Sequence, residues 1–128
     1  MPANAAQSQF LDTPRGLALH YTDHPAEGNE RGVVVFIHGS GPGASGWSNF
    51  KHNVASFQAG GFRCLVYDQW GYGRTDKPTD IDHTLDFFVE GLTALLDALD
   101  LTRVTLVGNS LGGAVALGMA LAQPERVS

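Results

Sequence analysis

Cysteine, basic clusters and long apolar runs are all scarce in this sequence, and each scarcity excludes a class of protein. The single cysteine, Cys64, cannot form an internal disulfide, and its apolar surroundings predict a buried core residue rather than a reactive thiol. The net charge of −5 and the absence of a basic cluster argue against nucleic acid as a partner. No apolar run is long enough to span a bilayer, and the first residues have neither the basic nor the apolar region of a signal peptide. We therefore expect a cytoplasmic protein with no membrane partner.

Short apolar runs separated by polar loops predict the strands. At 128 residues the chain is at most one domain, with the 43% hydrophobic content of a globular protein. Two segments, 9–11 and 17–21, predict an N-terminal antiparallel hairpin. The unbroken apolar runs at 33–38, 63–67 and 104–107 predict strands that are buried on both faces, as in a parallel sheet.

Helical patterns follow these buried runs, at residues 47–59, 84–99 and from Leu111 onward. The second pattern is amphipathic, so its acidic residues form a solvated face rather than a metal site. Its apolar face consists of Leu85, Phe88, Leu92, Leu95, Leu96 and Leu99. The order β-β-β-α-β-α-β-α predicts an α/β fold, a mostly parallel sheet with helices on both faces. Two histidines in the N-terminal region, His20 and His24, are predicted to lie at the surface.

The segment between the last predicted strand and the last helix carries the strongest chemical signal. Gly108-Asn109-Ser110-Leu111-Gly112 is the pattern G-x-S-x-G, a nucleophile elbow, in which a strained turn exposes a serine hydroxyl at the end of a strand. A side chain at either glycine would collide with the neighbouring turn. The positive end of the helix dipole lies beneath the hydroxyl, and the Leu111 N–H points at the position of a developing oxyanion.

A glycine-rich loop, residues 39–44, follows the first buried strand and allows two interpretations. Gly39, Gly41 and Ala44 fit the dinucleotide pattern G-x-G-x-x-A, with Asp68 at the end of the next strand as a ribose-binding acid. Pro42 removes one N–H from such a phosphate cradle, and a nucleotide site leaves the serine elbow unexplained. A nucleotide-binding module is therefore the alternative.

The other interpretation uses the loop and the elbow together. The Ser40 N–H would face Ser110 from the neighbouring strand end, so Ser40 and Leu111 would supply two backbone donors to one oxyanion. A serine nucleophile with two such donors predicts acyl transfer or hydrolysis at a carbonyl.

Three motifs together resemble the α/β-hydrolase fold: His38-Gly39 after a buried strand, the Asp68…Gly71-x-Gly73-x-Thr75-Asp76 turn, and the elbow. More narrowly, residues 38–50, with the sequence HGSGPGASGWSNF, and Gly108-Asn109-Ser110 are similar to the meta-cleavage product hydrolases. That resemblance implies hydrolysis of a carbon–carbon bond in a small-molecule substrate, a 2-hydroxy-6-oxo-dienoate from aromatic ring fission, without cofactor or metal. The dienol is first converted to its keto form, an oxygen adds to the ketone, and a carboxylic acid and a hydroxydienoate are released.

The resemblance also implies roles for individual residues. Ser110 is the nucleophile or a hydrogen-bonding serine, and the Ser40 and Leu111 N–H groups form the oxyanion hole. The polar part of the substrate pocket is lined by Gly41, Gly43, Asn49 and Asn109. Trp70 stands where relatives more often have a proline, an arginine or a small residue, which either alters the pocket entrance or has no consequence.

The base and acid that a serine nucleophile needs do not follow Ser110 in the sequence. In this fold the order is serine, acid, histidine, whereas all five histidines precede Ser110. His38 adjoins the loop, where we expect it to brace the oxyanion hole rather than act as base. We therefore expect residues 1–128 to be the N-terminal part of one catalytic domain, ending after the elbow helix, nearly inactive and poorly soluble alone. The resemblance suggests that the parent protein is a homo-oligomer.

Two further functions stay open. A serine carboxylesterase or lipase would share the elbow, and a non-catalytic binding protein would keep the pocket without the triad.

Overall fold

One five-stranded sheet organises residues 7–128, the part of the chain that the computed structural model describes. Its strands are β1 (Gln9–Asp12), β2 (Ala18–His24), β3 (Gly32–Ile37), β4 (Phe62–Tyr67) and β5 (Thr105–Gly108). Its helices are α1 (Gly46–Phe50), α2 (Val54–Ala59), α3 (Leu85–Ala98) and α4 (Leu111–Ala122), with a short 3₁₀ turn at Pro124–Arg126. The predicted polar start of the chain falls largely on residues 1–6, which lie outside the described residues.

The strand order is β1-β2-β4-β3-β5, and the sheet is mixed rather than mostly parallel. The predicted hairpin is confirmed, because β1 pairs antiparallel with β2, and β2 also pairs antiparallel with β4. Only β3 with β4 and β3 with β5 are parallel. The prediction of a mostly parallel sheet was therefore wrong for these residues. The three strands β3, β4 and β5 make only two parallel pairings, and the N-terminal hairpin adds two antiparallel ones.

Alternate residues of β3 enter two separate cores, so both faces of the sheet are covered. Val35 and Ile37 belong to the larger core, together with residues of α3 and α4. Val34 and Phe36 belong to the smaller core, together with Phe50 and residues of α2. This division follows from the two-residue period of a strand. Helices on both faces were predicted correctly.

Two helix predictions need correction. The single helix predicted over residues 47–59 is divided into α1 and α2, because the chain changes to an i→i+3 hydrogen bond, with Asn53 N–H donating to Phe50 O at 2.8 Å. The predicted apolar face of α3 is buried at its four middle members, whereas Leu85 is 43% exposed and Leu99, the C-cap residue, is half-buried. Leu85 lies in the first turn, where Phe87 packs into the core instead.

The prediction that two N-terminal histidines lie at the surface was wrong. His24 is buried, and its ring stacks on Trp47 at 5.7 Å between centroids. Burial lowers the pKa of His24. The His20 side chain is only 12% exposed and contacts Asp68. Both side chains line one cavity together with residues of α1 and α2, and the polar sequence of this segment does not reveal that burial.

The last helix and strand present apolar surface to solvent. α4 is apolar on all sides, yet Leu117 and Leu121 are 68% and 85% exposed. β5 is an edge strand, and beyond it the described chain adds only an isolated parallel bridge between Val104 and Val127. Among residues 7–128, no helix combines the length and apolar composition needed to cross a membrane.

Candidate active site

Ser110 has the backbone strain that the elbow pattern predicts. Its dihedrals are φ 57° and ψ −111°, a region that non-glycine residues rarely adopt. The strand β5 ends two residues earlier and α4 begins at the next residue. The serine therefore stands at a strand-to-helix junction, directly before the N-terminus of a twelve-residue helix.

The two glycines of the elbow allow this close packing. A Cβ at Gly108 would collide with the backbone of Gly112. A Cβ at Gly112 would in turn collide with the carbonyl of Ile37 and come within 2.9 Å of the His38 carbonyl oxygen. α4 thus lies directly against the end of β3, and the predicted need for glycine at both positions is confirmed.

Register brings the glycine loop beside the serine. Ile37 pairs with Gly108, and the Asn109 N–H donates to Ile37 O at 3.0 Å. The residues that follow β3 and β5 therefore meet at one edge of the sheet. A Cβ built on Gly39 would lie 3.5 Å from Ser110 Cβ.

A cavity of about 420 Å³ lies where the loop and the elbow meet. It brings together six of the seven residues predicted for the site; these are Ser40, Gly41, Gly43, Asn49, Asn109 and Ser110. Leu111, the seventh, is not among its lining residues. A Cβ at Gly41 or Gly43 would meet nothing within 4 Å, so this side of the cavity is open.

The two predicted backbone donors are available. Within residues 7–128, neither the Ser40 N–H nor the Leu111 N–H has a hydrogen-bond acceptor. The neighbouring N–H groups are engaged: Gly39 donates to Asn49 and Gly112 donates to Asn109 O. An oxygen atom with negative charge, bound between the two free donors, would satisfy both.

Asn49 connects the two loops, a role that the sequence did not reveal. Its Oδ1 accepts hydrogen bonds from the Gly39 N–H and from Asn109 Nδ2, both at 2.9 Å. α1, which carries Asn49, begins at a capping box formed by Ser45 and Ser48. The amide oxygen therefore fixes the distance between the glycine loop and the elbow.

His38 braces the loop, as expected. It is fully buried, its Nδ1 lies 2.6 Å from Gly39 O, and its Nε2 accepts from the Gln69 N–H at 2.9 Å. Burial lowers its pKa, which favours the neutral ring. Both ring nitrogens of His38 are hydrogen-bonded to backbone atoms of these loops, so neither has a free lone pair that could accept a proton from Ser110.

Two residues singled out by the sequence lie away from the cavity. Trp70 is 1% exposed and packs on Phe87 of α3, so it does not lie at a pocket entrance. The Asp68 carboxylate accepts from the Gly46 and Arg74 N–H groups and contacts His20, so it is not free to bind a ribose. No group of His, Cys, Asp or Glu that could bind a metal ion occurs in the described part of the chain.

Comparisons with known proteins identify the fold family of the chain. A family profile described as alpha/beta hydrolase fold matches residues 32–128. A 2-hydroxy-6-oxononadienedioate/2-hydroxy-6-oxononatrienedioate hydrolase from Paraburkholderia xenovorans is 42% identical over 126 residues, which are 96% of this chain and 43% of that protein. The Escherichia coli protein of the same name is 36% identical over 126 residues. The chain therefore spans less than half the length of the curated relatives it matches.

Solved hydrolase structures also match this chain over less than half of their own length. A meta-cleavage product hydrolase from Pseudomonas fluorescens IP01 superposes with a TM-score of 0.83 at 32% identity, covering 94% of this chain and 42% of that one. An epoxide hydrolase from Vigna radiata has a TM-score of 0.81 at 28% identity, over 95% of this chain and 37% of that one. The overall fold is thus common to several hydrolases, whereas the first curated relatives by sequence are named as 2-hydroxy-6-oxononadienedioate/2-hydroxy-6-oxononatrienedioate hydrolases.

Proposed function

Since this chain belongs to the alpha/beta hydrolase fold family, we propose that it is the nucleophile-bearing, N-terminal part of a single-domain carbon–carbon bond hydrolase. The substrate class is a 2-hydroxy-6-oxo-dienoate, by similarity to the relatives that carry that name. The observation that carries the proposal is the strained Ser110, which faces a glycine loop across a cavity, with unoccupied backbone N–H groups at Ser40 in that loop and at Leu111 directly after the serine.

The proposed roles follow from the atoms that are free. Ser110 is the nucleophile, and the N–H groups of Ser40 and Leu111 bind the oxygen of the tetrahedral adduct. The loss of one such donor typically lowers the rate by about 10²–10³. The strain at Ser110 keeps its hydroxyl exposed before substrate arrives, so little reorganisation is needed during the reaction.

The lining residues divide into two groups. Gly41 and Gly43 leave open space beside the donors, where the substrate chain would lie. Asn49 and Asn109 hold the two loops at a fixed separation through their side-chain hydrogen bond. We therefore propose that the glycines form the floor of the substrate site and that Asn49 acts mainly by positioning the oxyanion donors.

The reaction needs a proton acceptor that residues 1–128 do not offer. The hydroxyl proton of Ser110 must leave as its oxygen bonds to the ketone carbon, and the carbon fragment must gain a proton when the carbon–carbon bond breaks. No histidine follows Ser110, and both ring nitrogens of His38 are occupied. We propose that the histidine and its acid belong to the part of the parent protein that matches the remainder of the relatives' length.

This division of the triad predicts very low activity for residues 1–128. In a dissected serine triad, loss of the histidine alone cost about 10⁶ in kcat, while the oxyanion hole and binding retained about 10³–10⁴ over water. The test is to join residues 1–128 to the C-terminal portion of the Paraburkholderia xenovorans relative and to follow loss of the dienoate absorbance. Turnover that disappears in Ser110→Ala and persists in Ser56→Ala supports the proposal. An active chimera that keeps its rate in Ser110→Ala refutes it.

An esterase of the same fold is the second candidate, because a serine with two oxyanion donors serves esters equally well. Parallel assays of the chimera on an aryl ester and on a ring-fission product separate the two by their kcat/KM values. A nucleotide-binding module is disfavoured because the Asp68 carboxylate is occupied. A stabilisation of residues 1–128 by NAD(H) in a thermal-shift assay would restore it.

A further inference from the structure

A second serine, histidine and aspartate are joined by hydrogen bonds away from Ser110. Ser8 Oγ lies 2.9 Å from His20 Nε2, and His20 Nδ1 lies 2.8 Å from Asp68 Oδ2. The three residues come from the segment before β1, from β2 and from the end of β4. They line a cavity of about 690 Å³ that shares no lining residue with the one beside Ser110.

The aspartate of this set is held in one orientation. Its side chain is only 5% exposed, and its two oxygens accept the backbone N–H groups of Gly46 at 2.8 Å and Arg74 at 3.0 Å. An ionised carboxylate only accepts hydrogen bonds, so His20 Nδ1 is the donor to Asp68. In the neutral ring, Nε2 is then the free acceptor, and it faces the Ser8 hydroxyl. This is the tautomer that a histidine base requires.

An arginine stands on the other side of the same hydroxyl. Arg74 Nη1 donates to Ser8 Oγ at 2.9 Å. Within residues 7–128, the Nε and Nη2 groups of Arg74 have no side-chain or backbone acceptor. A guanidinium in this position stabilises negative charge on the serine oxygen and on an adjacent oxyanion.

The cavity itself favours an aromatic ligand. Trp47, which is 49% exposed, lines it together with Val54 and Ala55. Lys51 adds a second cation to the rim. The His24 ring covers one face of the indole, and an aromatic ligand can stack on the other face while a carbonyl oxygen approaches the cationic side.

We propose that Ser8 is a second nucleophilic hydroxyl of this protein, activated by His20 and Asp68, and that it accepts acyl groups from small aryl esters. Ser8 Oγ forms a bond to the acyl carbon, and the bond between that carbon and the aryl oxygen breaks. His20 Nε2 takes the hydroxyl proton and transfers it to the departing aryl oxide. The products are acyl-Ser8 and a phenol, so no further reactant is required.

The first experiment acylates the full chain with 4-nitrophenyl acetate in a Ser110→Ala background. Peptide mass spectrometry should find one acetyl group on Ser8. It should be absent in Ser8→Ala, strongly reduced in His20→Gln, and unchanged in Ser56→Ala, an exposed serine without a histidine partner. Acetylation distributed over surface lysines, with none on Ser8, overturns the proposal.

The second experiment does not depend on how well the histidine variant folds. Ser8→Cys places a thiol beside His20, and Ser56→Cys is the matched control on an exposed helix position. A thiol whose pKa falls from about 8.5 to about 7.5 gains about eightfold in thiolate at pH 7. Because a thiolate of lower pKa is also a weaker nucleophile, we expect Ser8→Cys to react with iodoacetamide about threefold faster than Ser56→Cys, while the buried Cys64 stays unreactive. Equal rates overturn the proposal.

Discussion

Gly112 and Gly113 are adjacent in α4, yet replacing them by alanine should have opposite effects on stability. A Cβ at Gly112 would lie 2.6 Å from the carbonyl carbon of Ile37 and still closer to its oxygen, whereas the nearest atom to a Cβ at Gly113 is Gly108 O at 3.7 Å. Ordinary carbon contacts are about 3.5 Å or longer, so Gly112→Ala requires a shift of about 1 Å between α4 and β3.

The magnitude follows from three contributions. Overpacking costs about 1–3 kcal/mol. The shift also weakens the Asn109 N–H to Ile37 O bond, for about 1 kcal/mol more. The higher helix propensity of alanine relative to glycine stabilises the helix by about 1 kcal/mol. Gly112→Ala should therefore destabilise the chain by about 2 kcal/mol, and Gly113→Ala should stabilise it by up to about 1 kcal/mol.

Urea unfolding of the two variants beside the parent chain tests this difference, since both carry the same new methyl group in the same helix. A gap of about 3 kcal/mol corresponds to about 10 °C in Tm for a chain of this length. If the two variants unfold at the same urea concentration, the close approach of α4 to β3 is not what fixes glycine at position 112.

Three other predictions concern the side chains of Asn49, Cys64 and His38. Asn49→Ala should lower kcat of the chimera by about tenfold or more, because it releases Gly39 and Asn109. Asn49→Asp keeps an acceptor for both and should lose less activity. Equal losses in the two variants would contradict the positioning role. Burial raises the pKa of Cys64 to about 11, so its thiol should resist a thiol reagent at pH 8 until urea unfolds the chain. The free energy of unfolding should fall above about pH 9, because there only the thiol of the unfolded chain ionises. His38 has a lowered pKa, so the unfolded chain binds its proton first and stability should fall as pH decreases below 6.5; flat urea midpoints from pH 7 to 5 would contradict this.

Much of the fold could be predicted because hydrophobic period and glycine position are local signals. The buried runs that became β3 and β4 have apolar residues at successive positions, and the elbow glycines are required by contacts within a few residues of Ser110 and by the adjacent end of β3. The second pairing partner of β2, the strand β4, could not be predicted. It depends on how the hairpin meets β4, which no local pattern of residues 17–24 specifies.

The sequence predicted which residues form the candidate site, but it did not predict the hydrogen bonds that hold them in place. The pattern in residues 38–50 indicated which residues would meet at Ser110, because a shared motif carries tertiary information that composition does not. The bridge from Asn49 to Gly39 and Asn109 spans up to sixty positions, so its geometry appears only when the chain is folded. The same holds for the burial of Trp70, whose ring fits against the glycine at position 91 of α3.

The left-handed backbone at Ser110 also has an evolutionary consequence. A non-glycine residue held in such a conformation costs about 1–3 kcal/mol, which glycine at the same position would largely avoid. Selection for thermal stability alone would therefore favour replacing the nucleophile, and only selection for chemistry retains the serine. In a library of variants screened first for folding and then for turnover, position 110 should be the one where the two rankings disagree most.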